Sequence, residues 1–139
     1  MGCVKLIVLD THIWIKYING DEKLKKLSGI IDKASETSGI RVSSISIWEI
    51  AMLEKLKKIN LSKSIDEWIS LALSLPGLRI EYINPKIAID STRLPDFEHK
   101  DPADRIIIST ARYLDAKLIT LDKKILDYSK NGYVKTLDF

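Results

Sequence analysis

With 139 residues, 45% hydrophobic and 29% charged, the chain has the size and composition of a single globular domain and is too apolar to be disordered. The 22 basic and 19 acidic residues leave a net charge of +3, a mild lean toward anionic partners but not the excess of a protein that holds nucleic acid by charge alone. Cys3 is the only cysteine, which excludes an internal disulfide and a cysteine-based zinc site, and the first apolar run stops at Asp10, too short for a membrane span or a secretory signal. A cytoplasmic protein built as one domain over residues 1–139 is expected.

Val4 to Leu9 is a continuous apolar run with β-branched residues, the pattern of a strand covered on both faces. Asp10-Thr11 follows as a capping pair and opens a helix from His12 to Ile18, broken by Asn19-Gly20-Asp21. Leu24, Leu27, Ile31 and Ala34 recur at helical spacing up to Gly39. Ile40 to Ser43 is a second strand. Ser46 and Glu49 match a capping box, so a helix is expected from there to about Lys58. Ile65, Trp68, Ile69 and Ala72 form the stripe of a helix from Ile65 to Leu75, stopped by Pro76-Gly77. Leu78 to Ile83 alternates apolar and charged residues, as a strand near a sheet edge does.

Asn84-Pro85 caps a helix to about Arg93, and 94–100 is an irregular connection. Asp101 is a good N-cap and Pro102 suits the first position of a helix running to Leu114. A strand from Lys117 to Thr120, a helix from Lys123 to Tyr128, a turn at Asn131-Gly132 and a strand from Tyr133 to Thr136 complete the chain. Strands alternating with helices define an α/β fold with a mostly parallel central sheet flanked by helices. Right-handed crossovers bring the strand-to-helix junctions to one sheet edge, where such folds bind ligands.

Four acids sit at those junctions: Asp10, Glu49, Asp104 and Asp122. Each has a structural account of its own. Asp10 and Asp122 can cap helices, Glu49 can complete a capping box, and Asp104 can complement a helix dipole. Together they crowd like charge onto one edge, a cost that a fold has reason to carry only with a cation present. An all-oxygen donor set selects a hard ion, Mg²⁺ or Mn²⁺, and such ions serve phosphodiester hydrolysis.

The run Val8-Leu9-Asp10-Thr11, the segment Ser46-Ile47-Trp48-Glu49, the stretch Asp101-Pro102-Ala103-Asp104-Arg105 and the ending Leu118-Ile119-Thr120-Leu121-Asp122 resemble the PIN-domain family. Within it the chain is most similar to the single-domain VapC-type toxins of bacterial and archaeal toxin–antitoxin pairs. No single motif is specific; the ordered set, spread over nearly the whole chain, carries the resemblance. It implies a Mg²⁺- or Mn²⁺-dependent endoribonuclease acting on RNA, inhibited by a small antitoxin and commonly a homodimer. Asp10, Glu49, Asp104 and Asp122 match the family's acidic quartet, with Asp10 and Asp104 as principal ligands, and Thr11 and Thr120 match its hydroxyl residues.

Among neighbouring residues, Asp101 is read as a cap and Arg105 as pairing with Asp101 or another acid. His12 and His99 lack a partner pattern. Trp14, Trp48 and Trp68 are expected in core or subunit packing, and Lys55, Lys57, Lys58 and Lys63 on a solvated face. The alternatives are a PIN-like interaction module without catalysis, disfavoured because all four acids are present, and a phospho-receiver domain, disfavoured because Asp10 stands alone after its strand and Leu78 to Ile83 ends in Asn84-Pro85.

Overall fold

The structure is a computed structural model in which residues 5–137 are described. Chain order is β1 (Ile7–Leu9), α1 (Thr11–Ile18), a 3-10 turn (Glu22–Leu24), α2 (Lys25–Glu36), β2 (Ile40–Ser43), α3 (Ser44–Lys55), α4 (Ile65–Leu73), β3 (Leu78–Glu81), α5 (Pro85–Thr92), α6 (Pro102–Leu114), β4 (Lys117–Ile119), α7 (Lys123–Ser129) and β5 (Lys135–Thr136). Val4, expected in the first strand, lies outside the described residues.

All strand pairs are parallel and the sheet order is β3-β2-β1-β4-β5. The central strand explains the apolar run. Val8 packs into one core with Leu94, Ile107, Ile108, Leu118 and Tyr128, while Ile7 and Leu9 pack into the other with Trp14, Ile31, Ile50 and Trp68. β3 is an edge strand, as its alternation predicts. The order also excludes a phospho-receiver, whose sheet runs 2-1-3-4-5, because β1 here lies between β2 and β4.

The register positions the site. Leu9 is level with Val42 on one side and Ile119 on the other, so Asp10, Ser43 and Thr120 form the next row, at the carboxyl edge. The chain winds outward from β1 through β2 to β3 and then returns to β4 on the far side of β1. A crevice opens at that reversal, between the ends of β1 and β4.

Several expected boundaries move. The cap of α3 is Ser43, whose hydroxyl accepts from the Ile45 amide at 3.2 Å, and Ser46 lies inside the helix. Ser43, Ser44 and Ser46 are all credible caps in sequence, and the strand register selects the first. α3 ends at Lys55 rather than Lys58 because Lys57 takes a left-handed conformation (φ 58°) and the Lys58 amide returns to the Leu53 carbonyl. α4 stops at Leu73 and β5 starts only at Lys135. Trp14 and Trp68 meet edge to face at 6.0 Å in the core, but Trp48 is 56% exposed. α3 is apolar around most of its circumference, so spacing alone does not reveal its outer face. Lys55, Lys57, Lys58 and Lys63 are exposed, as expected. Among the described residues no helix is long and apolar enough to cross a membrane.

Gly77 is the tightest backbone position. Its φ is +80°, and a Cβ there would lie 2.1 Å from the Ser35 carbonyl oxygen, just where the Gly77 carbonyl receives the Ile40 amide. Gly77→Ala is expected to destabilise the fold by about 2 kcal/mol or more, read as a lower midpoint in urea unfolding, because it adds left-handed strain and a backbone clash together.

Candidate metal centre

Asp10 leaves β1 and caps α1. Its Oδ1 accepts from the Ile13 amide at 2.9 Å, and its Oδ2 accepts from the Thr120 hydroxyl across the crevice. The Thr120 Oγ1 in turn accepts from the Asp122 amide at 3.0 Å. Three residues from two strand ends thus form one chain of hydrogen bonds, with Asp10 8% exposed and Thr120 fully buried. Asp122 caps α7 through the Lys124 amide at 2.8 Å.

Asp104 enters from α6. Asp101 is the cap of that helix, accepting from the amides of Ala103 at 2.9 Å and Asp104 at 3.2 Å. The capping duty therefore falls on Asp101, and among the described residues the Asp104 carboxyl has no hydrogen-bond partner. Glu49 enters from the second turn of α3, partly buried and likewise without one. Its place is set by Ser46, one turn earlier, whose hydroxyl accepts from the buried Thr11 hydroxyl at 2.9 Å and so ties α3 to α1. Ser46 is a positioning residue that sequence reasoning spent on a cap; its spacing of three from Glu49 was the available signal.

Among the described residues Arg105 does not pair with an acid. Its guanidinium donates to the carbonyls of His99 at 2.7 Å, Phe97 at 2.8 Å and Ser91 at 3.1 Å, and lies 5.4 Å over the Phe97 ring. It fastens the irregular 94–100 segment to α6 instead, a role with no periodicity to announce it.

Asp10, Glu49, Asp104 and Asp122 line one cavity of about 230 Å³. Crowding leaves an electrostatic mark there. Burial pushes the Asp104 carboxyl up to about 7, helped by the like charges of Asp101, Asp122, Glu49 and Asp10. Burial also raises Asp10, opposed by its bonds from Thr120 and the Ile13 amide. Among the described residues no three His, Cys, Asp or Glu side chains stand close enough to hold one ion as they lie. That arrangement still suits a hydrated hard cation, which takes one or two carboxylates directly and keeps several waters. The donor set is all oxygen, and two of its four members are free to turn.

The PIN-domain model matches residues 7–131, and the chain belongs to the PIN-domain family. It is 28% identical over 120 residues to Ribonuclease VapC22 of Mycobacterium tuberculosis, covering 86% of this chain and 88% of that one. Among solved structures it resembles VapBC2 from Rickettsia felis bound to a promoter DNA fragment (TM-score 0.71, 18% identity, covering 96% of this chain and 98% of that chain). It also resembles a toxin–antitoxin complex from Klebsiella pneumoniae (TM-score 0.63, 24% identity, 94% and 96% covered).

The raised carboxyl gives the metal-free protein a defined pH dependence. A folded-state value of about 7 against 3.8 means that the fold favours the protonated acid, so stability is fullest below pH 4 on this count and is lost as pH rises toward 7. In chelator, the melting temperature is expected to fall across that window, and Asp104→Asn is expected to flatten the fall and raise the melting temperature at pH 8. Thermal unfolding followed by circular dichroism measures both.

Proposed function

We propose that the chain is a Mg²⁺- or Mn²⁺-dependent endoribonuclease that hydrolyses RNA phosphodiester bonds and serves as the toxin of a toxin–antitoxin pair. The observation that carries this reading is the convergence of four carboxylates, from β1, α3, α6 and the β4–α7 junction, on one cavity at the reversal point of the sheet. The name of the relative VapC22 and the toxin–antitoxin complex among the structural neighbours support it.

Asp10, Glu49, Asp104 and Asp122 would hold the ion. When bound, it supplies the charge that makes water nucleophilic at neutral pH and offsets negative charge developing on the phosphodiester. The side chains divide the remaining work. Asp10 is the fixed point, locked by the Thr120 hydroxyl and the Ile13 amide. Glu49 and Asp104 have no hydrogen-bond partner among the described residues and would be the members that adjust, and Asp104 can hold a proton near neutral pH. Leu121 and Ile107 supply apolar wall. No side-chain nucleophile is required. A small antitoxin, a homodimeric assembly and a cytoplasmic setting complete the reading.

Purified protein is expected to cut RNA with Mg²⁺ or Mn²⁺ and to stop in EDTA, with Asp104→Asn slowing cleavage on the order of a hundredfold or more. Cleavage by Asp104→Asn at the wild-type rate would remove Asp104 from the site. Induced in cells without its partner, the chain is expected to arrest growth, and Asp10→Ala to relieve the arrest. Arrest undiminished by Asp10→Ala would separate toxicity from this cavity.

A further inference from the structure

One wall of the acidic cavity is α1, from which His12 and Lys16, one helical turn apart, both line the space. Among the residues lining that cavity Lys16 is the one lysine or arginine, facing four carboxylates. It is partly buried, yet among the described residues its ammonium has no ion-pair or hydrogen-bond partner. A cation in the last turn complements the α1 dipole, which accounts for its place on the helix but not for its lining a cavity shared with acids it does not pair with. Lys16 also lines a second cavity of about 270 Å³, whose walls include Tyr17, Asp21, Glu22, Lys25 and Ser28. It therefore stands on the divide between the two.

A polynucleotide reaching the quartet brings more than one phosphate. The phosphates flanking the reacting one carry full charge into an acidic surrounding and need a cation of their own. A more basic cavity, about 370 Å³ with Lys86, Arg93 and Arg112, lies between α5 and α6. Its α6 residues Ser109, Arg112 and Tyr113 lie about 140°, 80° and 180° around that helix from Asp104, and it shares no lining residue with the acidic cavity. Lys16 does line that cavity.

We infer that Lys16, with the His12 ring beside it, binds the phosphate next to the scissile one, and that the RNA strand leaves the acidic cavity across α1 into the cavity of Tyr17 and Lys25. This rests on the ribonuclease reading. Lys16 is a substrate-binding residue under it and takes no part in holding the ion.

The test is binding of a short fluorescent oligoribonucleotide by anisotropy, over a salt series, with Ca²⁺ replacing Mg²⁺ and RNA integrity checked on a gel. Lys16→Gln is expected to weaken binding about fivefold at 0.1 M salt and to reduce the slope of log affinity against log salt by about 0.7, the signature of one lost single-strand phosphate contact. Lys16→Arg should restore both. Lys135→Gln, which removes an equal charge at β5, should change neither. In cleavage, Lys16→Gln should raise KM and leave kcat within about twofold. An unchanged slope, a loss matched by Lys135→Gln, or no binding by the wild-type protein would overturn the contact. Active cleavage with a silent Lys16→Gln leaves the ribonuclease reading standing and removes the contact. A Lys16-dependent slope in a protein that cuts no RNA removes the ribonuclease reading and, with it, the placement of Lys16 beside a scissile phosphate.

Discussion

Leu9 is paired into the sheet between Val42 on one side and Ile119 on the other, and because these strands all run the same way they leave the sheet together. That shared exit is the constraint on which the site depends. It sets Asp10 and Thr120 side by side at the point where the chain reverses its winding, close enough for one hydroxyl to bridge two strand ends. A slip of one residue in either pairing would send the wrong side chains to the edge. The two apolar cores, one on each face of β1, hold the register in place.

The acidic edge opposes that order. Neutral or apolar side chains there would give a more stable metal-free fold, since each added carboxylate raises the cost of ionising its neighbours. The raised value at Asp104, a residue with no hydrogen-bond partner among those described, is one local measure of that conflict. Asp10 is raised by its burial as well, and its two donors oppose that rise only in part. One member of the quartet is therefore held by two hydrogen bonds, while another has none among the described residues.

Much of this was legible in the sequence because it rests on local rules. Strands covered on both faces show as unbroken apolar runs, and the Asp101-Pro102 and Asn84-Pro85 starts are capping chemistry that the structure repeats. Asp10, Glu49 and Asp122 were legible as neighbours because strand-to-helix junctions of a parallel sheet gather at one edge, whereas Asp104 opens a helix that follows a helix and reaches the same cavity only through the packing of α6. What stayed hidden is what long-range pairing decides. Which of three serines caps α3 depends on where β2 leaves the sheet. Trp48 reads as core until the outer face of α3 is known. Arg105 has acids close by in sequence, and only the folded path of 91–99 shows that carbonyls claim it first.

That claim bears on how the protein could be altered. Connections without regular structure usually absorb insertions and change length freely. The one before α6 is different, because a single guanidinium measures it at Ser91, Phe97 and His99 and the Asp101 cap follows two residues later. An added residue there would break the count and turn α6 away from the other acids. Residues 91–105 therefore form a cassette of fixed length, to be moved whole in any chimaera or permuted chain.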